Sequence, residues 1–279
     1  MNLKFTKMQG CGNDYIYFDC FDQDIEQPEQ LAVRLSDRHF GIGGDGIVLI
    51  CPSQVADAKM RMFNLDGSEG NMCGNAIRCV GKYLYDVRDV GKTKLSIETK
   101  SGVKHLVLIL KDGKVEFVQV DMGVPQLSPQ EIPVLLERDR VVDHPVTIGG
   151  VPYRITCVSM GNPHCVVFCQ DVEHLPLDSI GPQFEQHPLF PQRINTEFVR
   201  VIDAHTIQMR VWERGSGETF ACGTGACASV VACVLNRLCP MDHDVRVMLR
   251  GGDLIIRVAK EGVLMTGAAA KVFDGVVQV

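Results

Sequence analysis

Two cysteines in this sequence stand in matching surroundings. Cys73 is followed by Gly74 and Cys222 by Gly223, and the segment Met60-Arg61-Met62-Phe63-Asn64-Leu65-Asp66-Gly67-Ser68-Glu69 before the first resembles Met209-Arg210-Val211-Trp212-Glu213-Arg214-Gly215-Ser216-Gly217-Glu218 before the second. The offset is 149 positions (222 − 73), and it pairs Met60 with Met209, Arg61 with Arg210, Glu69 with Glu218 and Asn13 with Asn162 without a gap. If a helix begins just after each cysteine, each sulfur lies beside backbone N–H groups that have no acceptor inside the helix, at the positive end of its dipole. Such a setting lowers a thiol's pKa and makes the thiolate, the form that can accept a proton, available near neutral pH.

One reactive cysteine at a helix start suggests a nucleophile. Two, one from each of two related segments, suggest a pair. Removing a proton from one face of a carbon and returning one to the other needs one group that arrives deprotonated and one that arrives protonated. Matched thiols can exchange these roles with the direction of reaction. Gly74 and Gly223 leave the backbone open to close approach, so the N–H groups of Asn75 and Thr224 could hold a carboxylate or a developing enolate oxygen. The bland alternative, that both cysteines are inert residues near helix caps, stays open on spacing alone.

The elements that must position these residues are legible around them. Ala76, Ile77, Val80 and Leu84 share one face at a period near 3.6, and Ala226 to Leu235 is apolar all round, so each cysteine precedes a helix and the second helix must be buried. Asp112-Gly113 lies between the apolar runs Val103–Leu110 and Val115–Val120, a strong hairpin signal, and Gly149-Gly150 and Gly251-Gly252 suggest further hairpins. The repeat therefore predicts two similar halves, each a mostly antiparallel sheet wrapped around a central helix, in preference to alternating strand–helix units.

Bulk properties narrow the function classes. A chain of 279 residues suits two domains of ordinary size, and 46% hydrophobic with 22% charged residues is the composition of a folded soluble protein. A net charge of −6 without any stripe of Lys or Arg argues against a nucleic-acid partner. The N-terminus lacks the apolar core of a signal peptide, and no apolar run approaches a membrane span, so the expected location is cytosolic, with no membrane partner. In that reducing compartment the twelve cysteines are expected as thiols, and Cys157, Cys165, Cys169, Cys233 and Cys239, which lie in apolar runs, as core residues.

At these residues the chain resembles the diaminopimelate epimerases. The resemblance rests on Met8-Gln9-Gly10-Cys11-Gly12-Asn13-Asp14, Cys73-Gly74-Asn75-Ala76-Ile77-Arg78-Cys79, Ser159-Met160-Gly161-Asn162-Pro163-His164-Cys165, Glu213-Arg214-Gly215-Ser216-Gly217-Glu218-Thr219, and Ala221-Cys222-Gly223-Thr224-Gly225-Ala226-Cys227. Met265-Thr266-Gly267 and Phe273-Asp274-Gly275 extend it toward the C-terminus. It implies an α/β fold of the α+β type with two pseudo-symmetric halves. The first spans 1–121 plus the returning C-terminal strand 268–279 and carries Cys73; the second spans 122–267 and carries Cys222. It also implies a homodimer without pyridoxal phosphate or any other cofactor or metal, interconverting LL- and meso-diaminopimelate on the route to lysine and peptidoglycan precursors.

Carried over by motif, Cys73 and Cys222 match the two acid/base thiols, and His164 and Glu213 match positions that tune them. Asn13, Asn64, Asn162, Asn195, Glu213 and Arg214 match the substrate-binding side chains, with backbone contacts expected from Gly74, Asn75, Gly223 and Thr224. Both ends of the small-molecule substrate are zwitterionic, and guanidinium, amide and carboxylate groups suit carboxylates and ammoniums. The family often carries glutamine after the acidic residue of its early glycine loop. This chain has Asp45-Gly46 there, so Gly46 can offer only backbone.

Three competing readings are weaker. Gly41-Ile42-Gly43-Gly44-Asp45-Gly46 fits a dinucleotide fingerprint, but it follows a helical run, Leu31–Arg38, and precedes a strand-like one, the reverse of the required order. The alanine variant Gly223-Thr224-Gly225-Ala226-Cys227-Ala228 follows a long polar turn. A metal or redox-sensing role lacks any Cys-x-x-Cys spacing. A related two-thiol racemase acting on proline or hydroxyproline would leave Asn64, Asn195 and Arg214 oversized for a cyclic imino acid.

Overall fold

Elements recur in this chain at the 149-residue interval. The computed structural model describes residues 2–279, which divide into two compact units, one running to Asp121 and completed by Thr266–Val279, the other Met122–Met265. In unit 1, β1 (Asn2–Gly10), β2 (Asn13–Asp19), α1 (Pro28–Ser36), β3 (Gly46–Cys51), β4 (Ala58–Asn64), β5 (Glu69–Gly70), α2 (Gly74–Asp86), β6 (Lys94–Thr99), β7 (Gly102–Lys111) and β8 (Lys114–Gly123) follow in order. Unit 2 runs through β9 (His144–Ile148), β10 (Val151–Ser159), β11 (Pro163–Phe168), α3 (Leu177–Glu185), β12 (Asn195–Asp203), β13 (Thr206–Glu213), β14 (Gly217–Thr219), α4 (Gly223–Leu235), β15 (Asp244–Leu249), β16 (Gly252–Ala259) and β17 (Gly262–Ala268), and β18 (Ala270–Gln278) returns to unit 1. Shifted by 149, β1 coincides with β10, α1 with α3, and α2 with α4 at both ends.

The pairing pattern repeats as well. In unit 1, β18, β1 and β2 pair antiparallel, β2 pairs β3 parallel, β3 pairs β4 antiparallel, β4 pairs β6 parallel, and β6, β7 and β8 continue antiparallel. Unit 2 repeats this through β9–β10–β11, β11 with β12 parallel, β12 with β13, β13 with β15 parallel, and β15 with β16. The hairpins expected at Asp112-Gly113, Gly149-Gly150 and Gly251-Gly252 are present.

The sheets are thus mostly antiparallel, with one correction to the expected pattern. Each unit also contains two strand–helix–strand crossovers, through α1 and α2 in unit 1 and through α3 and α4 in unit 2. The reason is connectivity: strands joined through a helix run parallel, which a tight hairpin cannot achieve. The crossover geometry fixes the site, because it places the N-terminus of α2 and of α4 just past the end of a strand carrying polar residues.

Each central helix is held by its sheet. Helix α2 packs on β1, β2 and β7, and α4 on β10, β11, β12, β15 and β16. Ala76, Ile77, Val80 and Leu84 of α2 are buried as their spacing predicts, as is the run Gly225–Cys233 of α4. Separate apolar clusters complete the units: Ile16, Phe18, Leu35, Ile47 and Phe63 belong to one, and Ile155, Phe184, Phe190 and Phe198 to the other. Cys157, Cys165, Cys233 and Cys239 are buried and Cys169 is partly so.

Candidate active site

Cys73 is the N-cap of α2, in extended backbone with φ −130° and ψ 121°, and its sulfur accepts a hydrogen bond from the N–H of Ala76 at 3.5 Å. Its thiol donates to Asn13 Oδ1 at 3.3 Å. Asn13 is placed by the tight turn between β1 and β2, whose two central residues, Cys11 and Gly12, both have positive φ (53° and 79°), as a type I′ hairpin turn requires. Its amide is aimed by Asp45, whose Oδ2 accepts from Asn13 Nδ2 at 2.6 Å and from the N–H of Asp14 at 3.1 Å. Behind it, Asp14 meets Lys7 Nζ at 2.5 Å and Arg38 Nη2 at 2.7 Å. Burial alone would raise the Asp14 carboxyl, but hydrogen bonds and charge from Arg38 and Lys7 hold it below its ordinary value.

Asn64 ends β4 opposite Gly46, and its amide donates to Ser68 Oγ at 3.0 Å. Gly46 has no room for a side chain: an added Cβ would lie 2.0 Å from the Phe63 carbonyl oxygen. Arg78, one turn along α2, is fully buried and ties three parts of unit 1 together. Its Nη1 donates to Gly74 O at 3.0 Å, Nη2 to Cys11 Sγ at 3.5 Å and Nε to Ala268 O at 3.2 Å.

In unit 2, Cys222 is the N-cap of α4 (φ −119°, ψ 112°), accepting from the N–H of Gly225 at 3.4 Å, with Thr224 Oγ1 at 3.5 Å. Asn162 Nδ2 donates to Thr224 Oγ1 at 3.3 Å, and Asn162 Oδ1 lies 3.0 Å from His164 Nε2. His164 Nδ1 lies 2.7 Å from Glu197 Oε1, with both side chains fully buried. Asn195 holds the turn after β13: its Oδ1 accepts the N–H of Arg214 at 2.9 Å while its Nδ2 donates to Pro163 O at 2.9 Å. The Arg214 guanidinium donates to Gln192 O at 2.8 Å. Glu185 supports the same turn by accepting from Trp212 Nε1 at 2.7 Å and from the N–H of Gly215 at 3.0 Å.

The electrostatics of Cys222 overturn the expectation of an acidified thiol. Burial, first, and then the carboxylates of Glu213 and Glu197 push its pKa well above that of an ordinary cysteine. Hydrogen bonds from Thr224 and the N–H of Gly225 oppose this but are outweighed. Glu213 is itself raised, mainly by burial, although Thr219 Oγ1 donates to its Oε1. The helix start favours the anion as expected; burial of the residue, 6% exposed, and two nearby carboxylates decide the balance.

Within unit 1 the structure therefore brings together Cys73, Gly74, Asn75, Asn13 and, through Asp45, the neighbourhood of Gly46 and Asn64. Within unit 2 it gathers Cys222, Gly223, Thr224, Asn162, His164 and Glu213, with Asn195 and Arg214 on the adjoining turn. Asp45, Arg78, Glu185 and Glu197 were not anticipated as functional. The available signal for Glu197 was a carboxylate directly before the apolar Phe198-Val199, on a strand whose counterpart at position 48 is valine. Among the described residues, no group of three or more His, Cys, Asp or Glu side chains could hold a metal ion, and no helix is long and apolar enough to cross a membrane.

In each of the two repeated units a strand and turn end on a cysteine that caps a central helix. The diaminopimelate epimerase profile matches residues 5–128 and 156–272, and the chain belongs to the diaminopimelate epimerase family. It is 56% identical over 275 residues to the diaminopimelate epimerase of Acetivibrio thermocellus, covering 98% of each chain. Against that of Methanococcus maripaludis it is 53% identical over 279 residues, covering 99% of this chain and all of the other. Among solved structures, a hydroxyproline epimerase from Agrobacterium vitis is 14% identical at a TM-score of 0.71, covering 99% of this chain and 91% of that one. A phenazine biosynthesis protein of the PhzF family from Bacillus anthracis is 18% identical at 0.68, covering both chains fully. These two share the fold, the mixed α/β architecture of diaminopimelate epimerases. The chain is accordingly an amino-acid epimerase, and diaminopimelate is its substrate.

Proposed function

We propose that Cys73 and Cys222 carry the epimerisation as a two-base pair without pyridoxal phosphate or any other cofactor. The observation that supports it is the equivalence of the two sulfurs, each capping a buried helix of the same length at the same place in its unit. In one direction a thiolate takes the α-proton, breaking C–H and forming S–H, while the other thiol gives its proton to the second face of the carbanion. The reaction leaves the pair with its roles exchanged. Negative charge developing on the substrate's carboxylate is met by the first-turn N–H groups at Gly74-Asn75 and Gly223-Thr224, at the positive ends of two helix dipoles.

The remaining groups bind. Asn13 faces the thiol of Cys73 and Asn162 is linked to that of Cys222 through Thr224; Asn64, Asn195, Glu213 and Arg214 take the charged ends of the substrate, and Gly46 contributes backbone. His164 and Glu213 set the protonation of the thiols. The two compact units serve as the enzyme's two domains, and the working form is a cytoplasmic homodimer on the route to lysine and peptidoglycan precursors. Incubation of the purified protein with LL-diaminopimelate in deuterated water, with no added cofactor, tests the proposal. Formation of the meso isomer with deuterium at the inverted carbon is expected; absence of both product and label overturns it.

A further inference from the structure

The geometry points to Glu197 as a positioning residue that orients the His164 ring and so holds the chain from His164 through Asn162 and Thr224 to Cys222. This rests on the reading of His164 as a group that sets thiol protonation.

The carboxylate's surroundings carry the inference. Glu197 and His164 have no exposed surface, and Oε1 of Glu197 lies 2.7 Å from His164 Nδ1 while Oε2 has no hydrogen-bond partner. A carboxylate so enclosed is costly unless a positive or proton-donating group faces it. The other ring nitrogen lies 3.0 Å from Asn162 Oδ1, so the ring is held at both nitrogens, by Glu197 on one side and Asn162 on the other. With Asn162 Oδ1 occupied, its Nδ2 is turned to Thr224 Oγ1, which lies beside Cys222.

The fold itself does not require this pair. Shifted back by 149, His164 corresponds to Tyr15 and Glu197 to Val48, on the equivalent strands β2 and β3. A valine fills the same place in unit 1, so an ionisable pair there in unit 2 forfeits stability that an apolar pair would supply. The carboxylate also reaches beneath the first turn of α4: a Cβ at Gly225 would meet Glu197 Oε1 at 2.6 Å, so the glycine makes room for it. The other ionisable group that interacts with His164 is Glu213 on β13. Of Glu197 and Glu213, Glu197 is the one that hydrogen-bonds the ring.

The test is Glu197→Gln, read by 15N NMR of the histidine rings and by kcat/KM at neutral pH. With the carboxylate at Nδ1 replaced by an amide, the His164 ring 15N resonances are expected to shift and kcat/KM to fall about tenfold or more. Unchanged His164 resonances in folded E197Q overturn the proposal whatever the activity does. Shifted resonances with a wild-type kcat/KM uphold the orientation of His164 by Glu197 and reject instead the assignment of His164 to the thiols. Should E197Q fail to fold, E197D carries the test: its shorter side chain withdraws the carboxylate from Nδ1, and unchanged resonances overturn the proposal. The double variant H164Y/E197V reproduces the pair present in unit 1, and its thermal unfolding separates loss of activity from loss of fold.

Discussion

Cys222 occupies in unit 2 the place that Cys73 occupies in unit 1: each caps a thirteen-residue helix from extended backbone, and each sulfur accepts from the N–H three residues on, at 3.4 and 3.5 Å. Their neighbours differ. Cys73 faces the neutral amide of Asn13, whereas Cys222 lies in the field of Glu213 and Glu197. Position 64, which corresponds to Glu213, is asparagine, and position 48, which corresponds to Glu197, is valine. The repeat supplies two equivalent sulfurs, and the side chains placed on it make them unequal.

If each thiol serves one face of the α-carbon, neither can replace the other. Cys73→Ala and Cys222→Ala are each expected to lower kcat for epimerisation by about 10²–10⁴-fold, the scale of losing one positioned acid or base. Circular dichroism at unchanged melting temperature checks that the fold survives. Wild-type turnover in either variant would refute the pair.

The raised pKa of Cys222 has a direct chemical readout. Alkylation requires the thiolate, so Cys222, resolved by peptide mass spectrometry after brief iodoacetamide treatment, should react with a midpoint above the ordinary thiol range. Burial is the largest cause and survives mutation, but the second, the Glu213 carboxylate, can be removed. In Glu213→Gln the thiolate loses a repelling charge, so the alkylation midpoint should move to lower pH. A midpoint unchanged or moved upward would show that Glu213 does not act on this sulfur.

Local patterns in the sequence carried much of this arrangement. The 149-residue repeat placed both cysteines at helix starts, and Asp-Gly and Gly-Gly pairs marked the hairpins, because turn chemistry and helix periodicity are properties of short segments. Parallel pairing of β4 with β6 and of β13 with β15 was not legible, since which strands meet after a crossover depends on tertiary packing. The raised pKa of Cys222 was not legible for the same reason: the helix start is local, while Glu197 and Glu213 arrive from β12 and β13. Asp45 lay in a visible glycine loop, but its grip on Asn13 spans 32 residues.

Gly46 follows Asp45 in the glycine loop, and the backbone explains why no side chain is accommodated there. Its φ of 154° and the 2.0 Å approach of a Cβ to Phe63 O mean that any side chain must displace β4, where the clash is with a carbonyl rather than a flexible group. Gly46→Ala and Gly46→Gln are both expected to destabilise the protein by about 1–3 kcal/mol, the range for overpacking that shifts backbone. The measurement is urea denaturation. Because Asn64 is the strand partner of Gly46, KM should rise in both variants, and a Gly46→Gln protein with wild-type stability and lower KM would contradict this account.

Asp14 and Lys7 give the last test, one of stability and pH. The Asp14 carboxyl is held below its ordinary value by Arg38 and Lys7 against the opposing effect of burial. A depressed carboxylate contributes stability that is fully present above its unfolded pKa of about 3.9 and is lost as pH falls through the lower folded value. Asp14→Asn leaves the Lys7 ammonium, with 8% of its side chain exposed, without its carboxylate, although Lys7 still donates to Gly43 O. The expected loss near neutral pH is about 2–3 kcal/mol, toward the lower end for breaking a buried pair because Asp14 keeps some exposure and Arg38 is half in solvent. Urea unfolding of both proteins between pH 7 and pH 3 should show the difference holding above about pH 4 and shrinking below it. A difference that stays constant to the lowest pH would mean that Asn at this position acts through packing and that the Lys7–Asp14 pair adds nothing to the frame behind Asn13.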